Sequence, residues 1–452
     1  MKTAVKMEKN LTEGSILKTM LIFAVPMILG NLLQQVYNIA DTMVVGRFLG
    51  AEALAAVGSA YTLMTFLTSV TIGLCMGSGA VFSIAYGAGN EQELKKSMWV
   101  SFLFVGAVTV LMNVAVFIWT EPVLHLLRIP KEVYPLMYTY IRIIFAGIMF
   151  TFLYNYFSCL LRAIGNSVVP LWFLAVSSVL NIILDIWFVA GMNRGVGGAA
   201  EATVIAQAVS GIGIAGYTIL KVPFLRLKKE HMHMERETLN RVVQYSMLTC
   251  AQQSVMNFGI LMVQGLVNSF GTSVMAAFAA GVKIDTLAYM PAQEFGNAYS
   301  IFISQNYGAD KKERIRKGTK SAAVTVIMFC AAASAAVFFG AEFLMGIFID
   351  PQKTQIIQIG TGYLKTEGAC YCGIGILFLL YGYFRAVERP KVSLLLTILS
   401  LGTRVVLAYA CAPLFGVGAI WTAIPIGWAM ADAAGIILLR RGERTNRMNE
   451  IM

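Results

Sequence analysis

The stretch YGAGNEQELKK, Tyr86 to Lys96, has an echo: YGADKKERIRK runs from Tyr307 to Lys317, 221 residues further on. The spacing returns elsewhere. ALAAVG from Ala53 faces VMAAFA from Val274 at the same offset, and LRAIGNSVVP from Leu161 faces FRAVERPKVS from Phe384 at an offset of 223. Solenoid repeats recur every 20 to 50 residues or so, whereas a period this long means that a whole half of the chain is duplicated. Both copies run in the same orientation, and parallel halves of this kind enclose a binding cavity at their interface in transporters.

What fills each half is apolar chain. The sequence is 58% hydrophobic and only 13% charged, with a mean hydropathy of +0.70, which lies outside the range of soluble domains. Segments of about 20 apolar residues, long enough to cross a hydrocarbon core of ~30 Å as helices, recur from end to end. The sequence predicts twelve, at 17–45, 53–85, 97–119, 133–161, 168–190, 197–222, 239–268, 274–303, 319–348, 354–384, 391–413 and 416–439. The expected fold is an all-α integral membrane protein of two six-helix bundles around a central cleft. Its expected parts are an N-terminal segment 1–16, a first lobe 17–222, a connection 223–238, a second lobe 239–440 and a tail 441–452. The chain ahead of Leu17 is polar and lacks the pattern of a cleaved signal peptide.

The net charge of +11 would suit nucleic acid, but its distribution gives another answer. Alternate connections together with both termini hold 26 of the 35 Lys and Arg, and the remaining connections hold only Arg47, Arg128, Lys131, Arg194 and Lys353. That is the positive-inside bias. It places both termini and the 223–238 connection in the cytoplasm of a multi-pass protein of the cell membrane, with the basic loops meeting anionic lipid. The seven cysteines form no CxxC pair and read as small apolar core residues. The HMHM stretch at His231 and His233 reads as a solvated loop. No HExxH, GxSxG or phosphate-binding loop is present, so nothing points to an enzyme, a metal cofactor or a nucleic-acid partner.

These features together resemble a known family. The duplicated six-span halves, PMILGNLLQQVYNIADTMVVGRFLG in the first span, the two YGA loops, the two RA turns and NIILD in the fifth span are similar to the multidrug and toxic compound extrusion (MATE) transporters. The resemblance covers Leu17 to Leu439 and implies outward antiport of an organic compound against protons or Na⁺; a monomer without cofactors is expected.

The residues carry their own argument for a coupling site. Gln34, Tyr37, Asn38 and Asp41 fall at i, i+3, i+4 and i+7, on one helical face. The fifth span repeats the device with Asn181 and Asp185, and the sixth carries Thr203 and Gln207. An acid at the centre of a spanning helix costs roughly 2.5 to 3.5 kcal/mol on insertion scales, so two in one half need a reason. One reading has each aspartate near the interface, capping or hydrogen-bonding a neighbouring helix. The alternative is that two carboxylates in a poorly solvated cavity cannot both stay ionised, so that one exchanges a proton, or that both gather oxygen ligands around Na⁺. The resemblance implies the second, with roles for Asp41, Asp185, Asn181, Thr203, Tyr37 and Tyr140, closer to the archaeal and DNA-damage-inducible type. Shifting Asp41 and Asp185 by the repeat lands on Met262 and Ala408, and the seventh span offers Gln252 and Gln253 where the Na⁺-coupled type has an acid. Coupling is therefore expected in the first half.

The second half still holds Lys283, Asp285, Glu294, Lys365, Glu367 and Arg404 within predicted spans, with a formal sum of zero. They either pair internally, with Glu294 near the cleft, or present Lys283, Lys365 or Arg404 to an anionic or zwitterionic substrate. Pro26 weakens the first span and predicts a bend there. The leading function is export of amphiphilic organic compounds. The alternatives are a lipid-linked oligosaccharide flippase and, less favoured, a membrane-embedded enzyme.

Overall fold

Left-handed backbone conformations mark both halves at the same four places. In the computed structural model, which describes residues 10–126 and 129–451, Gly50 (φ 84°) pairs with Gly271 (φ 96°) and Gly89 (φ 67°) with Asp310 (φ 51°). Gly165 (φ 88°) likewise pairs with Glu388 (φ 61°), and Gly195 (φ 61°) with Gly416 (φ 69°). The separations are 221, 221, 223 and 221 residues. Glycine adopts this region without steric cost, whereas Asp310 and Glu388 are non-glycine residues holding it because the turn requires it.

Between these turns the chain is helical. The first half comprises α1 (Ile16–Gly50), α2 (Glu52–Gly87), α3 (Glu91–Leu126), α4 (Tyr134–Ala146), α5 (Ile148–Ala163), α6 (Val168–Asp185) and α7 (Gly195–Lys221). The second comprises α8 (Arg236–Asn268), α9 (Thr272–Gly308), α10 (Lys312–Phe348), α11 (Thr354–Gly368), α12 (Tyr371–Ala386), α13 (Pro390–Phe415) and α14 (Val417–Ile451). Among the described residues nine helices are long and apolar enough to cross a membrane, and the bent pairs α4–α5 (46°) and α11–α12 (51°) bring the number to eleven. The twelfth span is α8. Its 33 residues would reach about 50 Å, but Gln244, Gln252, Gln253, Asn257 and Gln264 dilute its apolar character. The two bends obey the repeat as well, since Gly147 caps α5 and Cys370 caps α12 at a separation of 223. The protein is thus the all-α membrane protein with duplicated halves that its sequence predicts.

Two compact units result. The first holds Ile22–Cys250 with Gly308–Asp310, and the second holds Gly14–Leu21, Ala251–Tyr307 and the chain from Lys311 on. In the first, Phe82, Phe152, Tyr156, Leu160 and Ile214 form an apolar core. There α2 crosses the start of α8 at close range: a Cβ on Gly73 would stand 2.6 Å from Cα of Cys250, and one on Gly77 would stand 2.4 Å from the Tyr245 carbonyl oxygen. Small residues let two backbones approach this way in a membrane, where apolar burial alone gives helices no reason to associate. Ser78 and Ser246 hydrogen-bond across the same crossing at 2.9 Å. In the second unit Phe278 stacks on Trp421 with ring centroids 5.4 Å apart, and Tyr363 meets Trp421 edge-on. Large apolar side chains such as Trp119, Trp172, Phe339 and Phe343 remain exposed, as expected of surfaces that face lipid.

The connection after α7 is ordered against the first unit. Phe224 packs on Tyr86 with centroids 6.2 Å apart, and Lys96 closes an ion pair with Glu235 at 2.6 Å. His231 departs from the solvated-loop expectation. It is buried, and its Nδ1 accepts the Lys228 backbone N–H at 3.0 Å, so burial plus a turn hydrogen bond fix it; His233 stays exposed.

Candidate carboxyl-pair site

Asp41 lies on α1, and Asp185 is the last residue of α6 before the helix widens. The next turn, Ile186–Gly191, is π-helical, with the Met192 N–H reaching back to the Trp187 carbonyl at 2.8 Å. Such a widened turn re-aims side chains within an otherwise regular helix and is frequent at functional sites. Asp185 is fully buried and Asp41 is 9% exposed, and their carboxyl groups meet side chain to side chain. A carboxylate is an acceptor only, so two of them brought together in a buried place call for a proton or a cation between them. Oδ1 of Asp41, both oxygens of Asp185 and the side-chain carbonyl of Asn181 have no protein donor among the described residues.

The predicted neighbours gather around this pair. Asn181 stands one turn before Asp185 and donates from Nδ2 to Oγ1 of Thr203 at 3.4 Å, joining α6 to α7. Tyr140 is buried, Tyr37 is half-buried, and both feel the charges of Asp41 and Asp185. Other members of the predicted set stand apart. Gln34 is exposed and Asn38 half-buried, while Gln207 accepts the Thr151 hydroxyl at 2.9 Å. The helix passes through half-buried Pro26 with its first non-helical backbone angles at Gly50. Four unpartnered acceptor oxygens in a buried place form a donor set that suits a proton on one carboxyl or a hard cation among oxygens.

The second unit holds an acid pair of its own. Asp285 on α9 and Glu367 on α11 are buried against each other. The Tyr371 hydroxyl donates to Oδ1 of Asp285, and Tyr363 contacts both acids. Arg404 lies within electrostatic range of Glu367 without closing an ion pair. Lys283 is exposed, and Lys365 stands over the Phe338 ring at 5.8 Å. Among the described residues none of these three cations closes an ion pair, although the Arg404 charge acts on Glu367 and Lys365 lies over a ring face. Glu294 accepts from Asn297 at 3.3 Å, and Arg385 donates to Asn297 and Ser300 at 3.3 Å each. Buried Gln252 accepts the Ser393 hydroxyl at 3.0 Å, and Gln253 is half-buried.

One acid was missed by reading the sequence. Asp432 on α14 is 8% exposed, and among the described residues its Oδ1 has no hydrogen-bond partner. The signal was present in AMADAAGII, a single acid within an apolar run.

The MatE family model matches residues 26–187 and again 246–410, one match in each half. Among curated proteins the chain is similar to the probable multidrug resistance protein YpnP of Bacillus subtilis, with 28% identity over 96% of this chain and 97% of that one. It is 32% identical to the probable multidrug resistance protein YoeA of the same organism over 68% of each chain. Among solved structures, a MATE protein in the bent conformation superposes with a TM-score of 0.92 at 22% identity, covering 100% of both chains.

Proposed function

The chain belongs to the MATE family of transporters and is not an enzyme, and from that premise we propose that it exports amphiphilic organic compounds across the cell membrane in exchange for inward H⁺ or Na⁺. The observation that supports this most is the buried meeting of Asp41 and Asp185 with four acceptor oxygens lacking protein donors. Such a pair binds one proton or one cation and releases it when the other side of the membrane is reached. Asn181, Thr203, Tyr37 and Tyr140 set its geometry. Substrate and coupling ion then compete for, or alternately stabilise, the same lobe, so that dissipating the cation gradient moves the organic compound outward. Lobes at 17–222 and 239–440, cytoplasmic termini and a monomeric, cofactor-free working unit belong to this reading.

A second reading moves the carrier to Asp285 and Glu367, which also meet in a buried place. The first pair is favoured because tyrosine donation already satisfies one oxygen of Asp285, whereas among the described residues no protein donor reaches either oxygen of Asp185.

Expression in a host stripped of its main efflux pumps should raise tolerance to at least one cationic or zwitterionic amphiphile, such as a dye or a fluoroquinolone. If a broad panel showed neither tolerance nor transport while a labelled lipid-linked sugar was translocated, the flippase reading would replace export. Orientation has its own test. In a variant without native cysteines, a single cysteine replacing exposed His233 should be shielded from impermeant thiol reagents in intact cells and labelled after permeabilisation. Ready labelling in intact cells would invert the topology.

A further inference from the structure

The transport reading leaves one charge of the first unit unused. Arg142 on α4 is exposed within a spanning segment, and among the described residues no carboxylate pairs with it. Its Nη1 donates to the Tyr138 hydroxyl at 2.9 Å, and its guanidinium stands over the rings of Phe117 at 5.6 Å and Tyr138 at 5.4 Å. Beside it Arg194, which caps the start of α7, pairs with Glu201 at 2.5 Å and lies over Phe188 at 5.5 Å. These side chains line one groove of about 460 Å³ whose apolar wall includes Val204 and Ile205. Gly147 allows this: a Cβ there would meet the Val204 side chain at 2.7 Å, so only glycine lets the bend of α4 lie so close to α7.

The depth of the groove is informative. Arg142 stands eight residues inside the start of α4 and Glu201 six inside the start of α7, which is about 12 and 9 Å along the axes. Phe117 stands nine residues before the end of α3, about 13 Å in. The 36 residues of α3 span about 54 Å, more than the ~40 to 45 Å of a whole bilayer. A level about 10 Å inside the helix ends is then the base of the headgroup layer. Two arginines and one glutamate leave the groove with one excess positive charge, and exposed Ile205, ten residues inside the start of α7 or about 15 Å, continues from it toward the hydrocarbon.

We propose that this groove binds the phosphodiester headgroup of an anionic phospholipid, with Arg142 and Arg194 on the phosphate and the acyl chains along the apolar flank. A planar guanidinium fork matches two phosphate oxygens. One negative charge balances the excess, which a zwitterionic lipid does not do. Glu201 holds Arg194 in place while its neighbour stays free for the ligand.

The test reads binding rather than transport, so its failure is separable from failure of the export reading. Full-length protein in detergent is titrated with dioleoyl phosphatidylglycerol and bound lipid is counted by native mass spectrometry. Arg142→Gln should weaken the tightest-bound lipid about tenfold. Arg142→Lys, which keeps the charge but loses the fork, should fall between it and the parent. Lys131→Gln removes the same charge from the exposed loop before α4 and should stay within about twofold. Phosphatidylcholine should bind the parent no more tightly than it binds Arg142→Gln. Unchanged phosphatidylglycerol binding in both Arg142 variants, or an equal loss in Lys131→Gln, would overturn the proposal. So would displacement of the lipid by millimolar inorganic phosphate, which would make the groove a site for the free ion.

Discussion

Asp41→Asn should abolish cation-driven export in proteoliposomes, down to the level of protein-free vesicles, while leaving the protein folded and much of its substrate binding intact. Asparagine keeps the size of the side chain and can donate through its amide to Asp185, but it cannot carry a proton or a formal charge through a transport cycle. The replacement also relieves the meeting of two buried acids, so thermal stability should equal or exceed that of the parent. Asp185→Asn should behave nearly the same, because two buried carboxyls that close titrate as a single coupled unit. Substrate counterflow, which needs no ion gradient, should survive in both variants. Gln252→Ala and Gln253→Ala should leave ion coupling in place even if they weaken substrate recognition. Glu367→Gln provides the decisive comparison. Normal gradient-driven flux in Asp41→Asn together with loss in Glu367→Gln would transfer the carrier role to the second unit.

The second large effect is structural. Gly77→Val should lower the thermal midpoint of the purified protein by several degrees and reduce its yield in membranes. A Cβ at this position would stand 2.4 Å from the Tyr245 carbonyl oxygen and 2.5 Å from Cα of Ser246. Those are backbone atoms of α8, so no rotamer change relieves the overlap, and α2 must move away from α8. Overpacking of this kind costs typically 1 to 3 kcal/mol, and more where backbone has to move. Separation would also open the Ser78–Ser246 hydrogen bond. Gly216→Val on α7 is the control, since a Cβ there meets nothing within 4 Å. Its midpoint should stay close to that of the parent. Equal losses in the two variants would mean that the effect comes from valine in a helix and not from the helix crossing.

Some of this molecule is written in the chain alone. Apolar runs of span length admit only helices where no water can satisfy the backbone, and the 221-residue echo of YGAGNEQELKK fixes the duplication. The left-handed turns at Gly50 and Gly271 or Gly89 and Asp310 follow from local sterics and recur at that offset. Spacing also put Asn181 and Asp185 one turn apart, and the cost of burying an acid singled out Asp41. Tertiary packing decided the rest. Helical periodicity placed Gln34 on the face of Asp41, yet Gln34 is exposed and Asp41 buried, because a face is buried only as far as a neighbouring helix covers it. Asp285 and Glu367 sit 82 residues apart on different helices, at positions the repeat does not relate to Asp41 and Asp185. Their meeting, like that of Asp41 with Asp185 across 144 residues, depends on how α1, α6, α9 and α11 pack within their own units. A one-dimensional pattern sets which side of a helix is polar, but only the close approach of distant helices, permitted at glycines such as Gly77 and Gly147, sets what that side touches.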